Sequence, residues 1–188
     1  MSEAETGTDG ISARRTDRIL AAAERLFLAY GMRRTSMDDI AREAELAKGT
    51  LYLSFKSKEA LFSTLAERVV ARLHAQAVAA ADQANGQIET IVAYLDEAVG
   101  APARLLASSP HTAEIFDAKR VSASATMRCY QDQVLEDIAN ADGDDRDLAQ
   151  MLVEAAHGCK MSGPLASPDF CARLRRHVET LLRGARHL

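Results

Sequence analysis

The sequence predicts an all-α protein of about nine helices. Alanine occurs 35 times in 188 residues, aromatic residues make up only 5%, and apolar residues recur three and four apart through most of the chain. Alanine is the strongest helix former and a poor strand former, and the three-and-four spacing marks one face of a helix. The four prolines, Pro102, Pro110, Pro164 and Pro168, all stand where the helical pattern pauses. No stretch alternates like a strand, and no internal repeat is present.

In chain order, residues 1–11 are polar and read as a disordered tail. From Ser12 to Tyr30, Ile19, Leu20, Ala23, Leu26, Phe27 and Tyr30 form one helical face, and Gly31 follows as a left-handed cap. Ser36 caps a second helix with Asp39 three residues on, a weak capping box; Met37, Ile40, Ala41 and Ala44 are its inner face. After a turn at Glu45-Leu46, a third helix runs from Ala47 to Ser54 with Leu51 and Phe55 facing inward. Ser57 caps a long fourth helix, Lys58 to Ala84. A fifth runs from Gln87 to Val99; Gly100, Pro102 and Pro110 then break up a short piece at Arg104–Ala107. A long stretch from Thr112 to Ala139 is weakest at Val121–Met127, where serine and threonine are indifferent helix formers. Residues 140–145 form a loop, a helix spans Asp145 to Met161, and the last helix starts at Ser167-Pro168, a cap followed by proline at the first helical position.

The division expected is a tail at 1–11, a helix-turn-helix domain at 12–72 with the motif itself at 35–54, and a helical domain at 73–188. Charge follows it: residues 12–72 hold 12 Lys+Arg against 8 Asp+Glu, and the remainder holds 11 against 19. A basic head on an acidic body suits a polyanion partner for the head alone. Cys129, Cys159 and Cys171 are odd in number and lack CxxC spacing, so neither a disulfide framework nor a zinc site is indicated. The start of the chain has no secretion signal, and no run reaches the ~18 apolar residues of a membrane span. The expectation is a cytoplasmic protein with no cofactor and no membrane partner.

Two short helices joined by a three-residue turn form a helix-turn-helix, whose second helix can enter a DNA major groove. Such a helix needs donors for phosphates, small residues at close approach and side chains that reach base edges. Lys48-Gly49-Thr50 opens the third helix with one of each, and the Tyr52 hydroxyl can reach a phosphate. Thr35 and Ser36 offer hydroxyls at the start of the second helix, and Lys56 and Lys58 flank the start of the fourth. Taken singly, Thr35, Ser36 and Ser57 read as caps, Tyr52 as a core aromatic and the lysines as solvated charges; the combination carries the functional reading.

The segment Thr16–Leu65 resembles the N-terminal domain of the tetracycline-repressor (TetR) family. The matching places are Gly31, Thr35-Ser36, Ile40-Ala41, Glu45-Leu46-Ala47, Lys48-Gly49-Thr50-Leu51-Tyr52, Leu53-Ser54, Phe55 and Ser57-Lys58-Glu59-Ala60-Leu61. The resemblance implies an all-α homodimeric repressor that binds double-stranded operator DNA. Its C-terminal domain would bind a small-molecule effector and dimerise through the last two helices. Thr35, Ser36, Lys48, Gly49, Thr50, Tyr52 and Lys58 carry over as DNA-binding residues. Three places depart from the family pattern. Glu45 replaces the turn glycine and is expected in a left-handed conformation at a cost of roughly 1 kcal/mol. Ala47 replaces the serine that would cap the reading helix, worth ~1 kcal/mol. Leu53-Ser54 replace larger polar or aromatic residues; Leu53 is not carried over.

In the body, Ala149, Ala155, Ala156, Gly158 and Cys159 are small residues three and four apart, suited to close helix approach across a two-fold axis. For a ligand pocket, His111, Phe116, Met127, Cys129 and Tyr130 mix apolar bulk with polar tips. Residues 142–147 look calcium-like but lack the closing glutamate of a twelve-residue loop, and His157 and Cys159 lie two apart on a helix, off a shared face. With no nucleophile–base pair or metal set at usable spacing, the chain is not expected to be an enzyme. The rival to a ligand-released repressor is a helical adaptor, or a regulator of the same fold answering a protein or redox signal.

Overall fold

The structure, a computed structural model, describes residues 5–107, 111, 125–141, 143–161 and 169–185. Every regular element among them is helical: α1 (Glu5–Tyr30), α2 (Met37–Glu43), α3 (Lys48–Ser54), α4 (Lys58–Asp82), α5 (Gln87–Leu95), a π-helical turn (Asp96–Gly100), α6 (Ala101–Ala107), α7 (Ala125–Ala141), α8 (Arg146–Met161) and α9 (Asp169–Ala185). None is long and apolar enough to cross a membrane.

Two corrections to the sequence reading concern boundaries. The first helix begins at Glu5, so residues 5–11 are helical where a disordered tail was expected. Polar composition does not by itself forbid a helix. The second correction is at Gly100 and Pro102, which do not interrupt the helix. The Ala101 N–H donates to the Asp96 carbonyl five residues back, a π-type step. That wider turn relieves the crowding a proline ring imposes on the carbonyl four residues before it, so Pro102 rides inside the first turn of α6. Gly100 is closely packed there, and any side chain would have to displace its neighbours. A Cβ at this position would lie 2.6 Å from Asp96 Oδ1, 2.8 Å from Phe170 Cε1 and 2.9 Å from Arg104 Nη1. The helix start expected at Thr112, the weak stretch Val121–Ser124 and the Ser167-Pro168 cap lie outside the described residues.

The chain divides at Arg68/Val69, inside α4. The boundary expected at 72/73 was four residues away, and a helix that continues through the division offers no break in pattern to mark it. In the N-terminal unit, Ile19, Leu20, Ala23 and Phe27 of α1 form a core with Met37, Ile40 and Ala41 of α2, Leu51 of α3 and Leu61 and Leu65 of α4. Phe27 and Phe62 rings meet at 6.1 Å between centroids, tilted by 59°. Gly31, at φ 85, ends α1 and returns its N–H to the Phe27 carbonyl at 2.9 Å.

The C-terminal unit has its own core. Ile91, Val92 and Leu95 of α5, Val134 and Ile138 of α7, Leu148 and Leu152 of α8, and Phe170, Leu174 and Val178 of α9 are its main members. Asp145 caps α8, accepting the Leu148 N–H at 3.0 Å. The preceding turn places Gly143 at φ 85 and Asp144 at φ 70. A turn and a cap account for this acidic loop, and among the described residues no cluster of His, Cys, Asp and Glu could hold a metal ion.

Candidate DNA-reading head

The turn between α2 and α3 sets the geometry of the head. Ser36 and Asp39 form a reciprocal capping box: Ser36 Oγ accepts the Asp39 N–H at 3.1 Å, and Asp39 Oδ2 accepts the Ser36 N–H at 3.0 Å. Hydrogen bonds from Ser36, with Arg42 beside it, hold the Asp39 carboxyl below its ordinary range. At the other end of α2, the Leu46 N–H donates to the Ala41 carbonyl (2.9 Å) and the Glu45 N–H to the Arg42 carbonyl (3.0 Å). These are the two bonds of a Schellman motif, with Glu45 in the left-handed place at φ 53. Arg18 of α1 braces that turn. Its guanidinium donates to the Ala44 carbonyl at 2.6 Å and pairs with the Glu45 carboxylate at 3.3 Å.

Ala47 begins α3 in extended conformation with no side-chain cap. The departures at Glu45 and Ala47 therefore have the structural consequence the sequence implied. Glu45→Gly and Ala47→Ser are each expected to raise unfolding free energy by about 1 kcal/mol. The Arg18 contacts to backbone survive the first change, and the exposed Arg18–Glu45 pair it removes is worth little. Denaturant unfolding of the two variants checks this.

Helix α3 buries only Leu51. Lys48, Gly49, Tyr52 and Leu53 are exposed and Thr50 is half-buried. Positions 48, 49, 52 and 53 share one side of a helix, so the candidate reading residues converge outward as a ridge. Among the described residues, nothing beyond its chain neighbours and the helix's own backbone lies within 4 Å of a Cβ built on Gly49, so its lack of a side chain is not explained by packing there. Lys48 Nζ pairs with Asp38 Oδ2 at 2.9 Å, and this hydrogen bond pushes its pKa up. Both partners are solvent-exposed, and an exposed pair contributes little, so Lys48 can leave Asp38 for another anion at small cost. Ser54 turns its hydroxyl back to the Thr50 carbonyl at 3.4 Å.

Three residues expected at a DNA surface make hydrogen bonds within the head. Thr35 is 3% exposed, and its hydroxyl donates to the Gly31 carbonyl at 2.9 Å, closing the end of α1. Lys58 Nζ donates to the Met32 carbonyl at 2.8 Å and the Thr35 carbonyl at 3.0 Å, tying the start of α4 to the α1–α2 loop. Ser36 is exposed but occupied by its capping box. The family motif at these places therefore builds the head's shape. Lys48, Gly49, Thr50 and Tyr52 remain as its outward chemistry. Asp38, the partner of Lys48, was missed in sequence reading because it lies on the other helix of the motif.

Of the proposed pocket residues, Met127, Cys129 and Tyr130 lie on α7 of the C-terminal unit. Tyr130 donates its hydroxyl to the Ala98 carbonyl at 2.9 Å, and burial pushes its phenol up to about 12. Met127 is half-buried, Cys129 is exposed, and Phe116 lies outside the described residues. His111 groups with the N-terminal unit. The polar centre that sequence reading missed is Asp137. Its Oδ2 accepts the Tyr94 hydroxyl and lies 2.7 Å from His74 Nε2, and its Oδ1 accepts Gln133 Nε2 at 2.9 Å. Burial raises the Asp137 carboxyl, but the bonds from Tyr94, Gln133 and His74 outweigh it and hold the group below its ordinary range. Burial and Asp137 together push the Tyr94 phenol far up. Partners 43 and 63 residues apart leave no local signal in the sequence.

The family of bacterial regulatory proteins named tetR matches residues 19–65. An uncharacterised HTH-type transcriptional regulator of Mycobacterium tuberculosis H37Rv is 46% identical over 71 residues, covering 36% of this chain and 35% of its own. Another, from Haemophilus influenzae Rd, is 42% identical over 53 residues, 28% of each chain. The chain thus spans about a third or less of the length of the curated relatives it matches. A TetR-family transcriptional regulator from Streptomyces coelicolor has a similar structure, with a TM-score of 0.68 over 94% of each chain at 22% identity. FadR of Thermus thermophilus, a TetR-family repressor solved in complex with lauroyl-CoA, has a TM-score of 0.54 over 90% of this chain and 94% of its own at 18% identity. At those identities the likeness is one of fold. The helix-turn-helix unit built on α2 and α3, within residues 19–65, is thus of the type found at the N-terminus of the TetR family of bacterial regulatory proteins.

Proposed function

We propose that the protein is a sequence-specific DNA-binding transcriptional regulator, a homodimeric repressor released from a pseudo-palindromic operator by a small-molecule effector. The observation that carries the DNA-binding part is the outward ridge of α3. Lys48, Gly49 and Tyr52 face solvent together while Leu51 alone anchors the helix. Lys48 and Tyr52 supply donors for base edges and phosphates, Thr50 supplies a hydroxyl and a methyl, and Gly49 allows the backbone to approach. The Lys48→Ala/Tyr52→Phe double variant tests this on a duplex selected from a random pool by the wild type. Affinity at least tenfold lower is expected; affinity equal to wild type would remove α3 from the interface.

Release by an effector draws support from α4, which belongs to both units and is tied within the C-terminal unit by His74 to Asp137. A ligand that binds one arrangement of that unit more tightly would shift α4 and with it the head, in proportion to its differential affinity. The complex of FadR from Thermus thermophilus with lauroyl-CoA supports a small-molecule ligand as the signal.

Dimerisation draws support from the α8–α9 face. Of the five small residues on α8, Ala149, Ala156 and Cys159 are buried within the unit's own core, Ala155 is half-buried and Gly158 is exposed. An open groove of about 530 Å³ runs beside them, lined by Met151, Glu154, Ala155, Arg176, Thr180 and Leu181 among others. Met151 is 46% exposed there, an apolar side chain that a second copy would cover. Met151→Glu is expected to shift sedimentation from dimer to monomer while leaving the helical circular-dichroism signal unchanged.

A further inference from the structure

We propose that Leu53 reads sequence by packing against the methyl group of a thymine in the major groove. The inference rests on α3 being the DNA-reading helix. Leu53 is 75% exposed, the most exposed large apolar side chain among the described residues. It stands one turn beyond Gly49, on the ridge that also carries Lys48 and Tyr52. The empty space over Gly49 lets the backbone come close to a groove floor, and Leu53 is then carried to the same depth.

Leucine has no group that can bond a phosphate, a sugar hydroxyl or the polar edge of a base. The one apolar group that a base pair presents in the major groove is the thymine C5 methyl. The charge around Leu53 agrees with a nucleic-acid occupant: exposed Lys48 precedes it on α3 and exposed Lys56 follows the helix. The chemistry assigned is therefore apolar readout of thymine, which distinguishes T·A from the other pairs at one position of each half-site.

The test uses a duplex that the full-length wild type selects from a random pool. Each thymine is replaced in turn by deoxyuridine, which removes only the methyl, and both wild type and Leu53→Ala are titrated. Loss of one methyl contact corresponds to about fourfold weaker binding. Wild type is expected to lose about fourfold at one deoxyuridine position per half-site, and Leu53→Ala, weaker on the parent duplex, is expected to be indifferent to that same change. If no deoxyuridine position weakens the wild type, or if Leu53→Ala responds as the wild type does, the thymine contact is overturned while selective binding of the duplex leaves α3 as the DNA-reading helix. If the wild type selects no duplex, the assignment of Leu53 falls together with that of α3. Because Leu53 is exposed, the variant's folding is not at risk, and its unchanged melting temperature is the control.

Discussion

Gly49→Leu is expected to lower affinity for the selected operator by about 100-fold or more, with the melting temperature unchanged or slightly raised. The two halves of this expectation come from different physics. Among the described residues, no atom beyond the chain neighbours and the helix's own backbone lies within 4 Å of a Cβ built at position 49, so a leucine there meets open space. It also replaces the poorest non-proline helix former by one of the best, worth up to ~1 kcal/mol within a helix and less near its first turn. Against DNA the same side chain holds the α3 backbone off the bases and breaks every interaction along the ridge at once, including those of Lys48 and Tyr52. A 100-fold loss corresponds to about 2.7 kcal/mol, a modest demand when several groups leave the groove together. Thermal unfolding and an anisotropy titration on the same preparation separate the two effects. Equal affinity with equal stability would mean that α3 faces something other than DNA.

Asp137→Ala is expected to destabilise the C-terminal unit by about 2 kcal/mol, lowering Tm by about 4–8 °C. The carboxylate is 22% exposed and accepts from Tyr94 and Gln133, with His74 beside the oxygen that Tyr94 bonds. Its removal leaves the buried Tyr94 hydroxyl without an acceptor, which costs more than the bond itself contributed. Tyr94→Phe removes donor and hydroxyl together and is expected to cost about half as much. The pH dependence follows from the direction of the Asp137 shift. Its folded pKa lies below the unfolded value of about 3.9. The charged network therefore contributes fully above that value, and its contribution is lost as pH falls through the lower folded pKa. In Asp137→Asn the acid limb of the stability curve should be flatter below about pH 4 than in wild type. Urea unfolding at several pH values between neutrality and pH 3 measures the difference.

How much was legible before the structure depended on distance along the chain. The head could be read closely because its determinants are local. The Ser36–Asp39 capping box, the left-handed Glu45 and the uncapped Ala47 each depend on residues a few positions apart, and each stands as the sequence implied. The internal bonds of Thr35 and Lys58 were not legible, for the opposite reason. Residue type showed a hydroxyl and a cation at a helix start, but their acceptors, the carbonyls of Gly31, Met32 and Thr35, are brought to them by the packing of α1 against α2 and α4. In the body, helical periodicity found α5, α7, α8 and α9, yet it also stopped a helix at Gly100 and Pro102. A π-type turn removes the steric objection to proline without any change in hydrophobic spacing. The Asp137 network and the Asp96–Arg104 pair join polar residues that look solvated on a helical wheel. Only the third dimension shows that Asp137 is the polar centre of the unit.

The decisive measurement is a fluorescence-anisotropy titration of the wild-type protein with the duplex that flanks its own gene, at several salt concentrations, beside a scrambled duplex of the same composition. Selective binding is predicted, with log affinity falling linearly as log salt rises, by roughly 0.9 per phosphate neutralised. Affinity no greater than for the scrambled duplex, there and on duplexes selected from a random pool, would contradict the DNA-reading role of α3 and leave a helical adaptor as the better description.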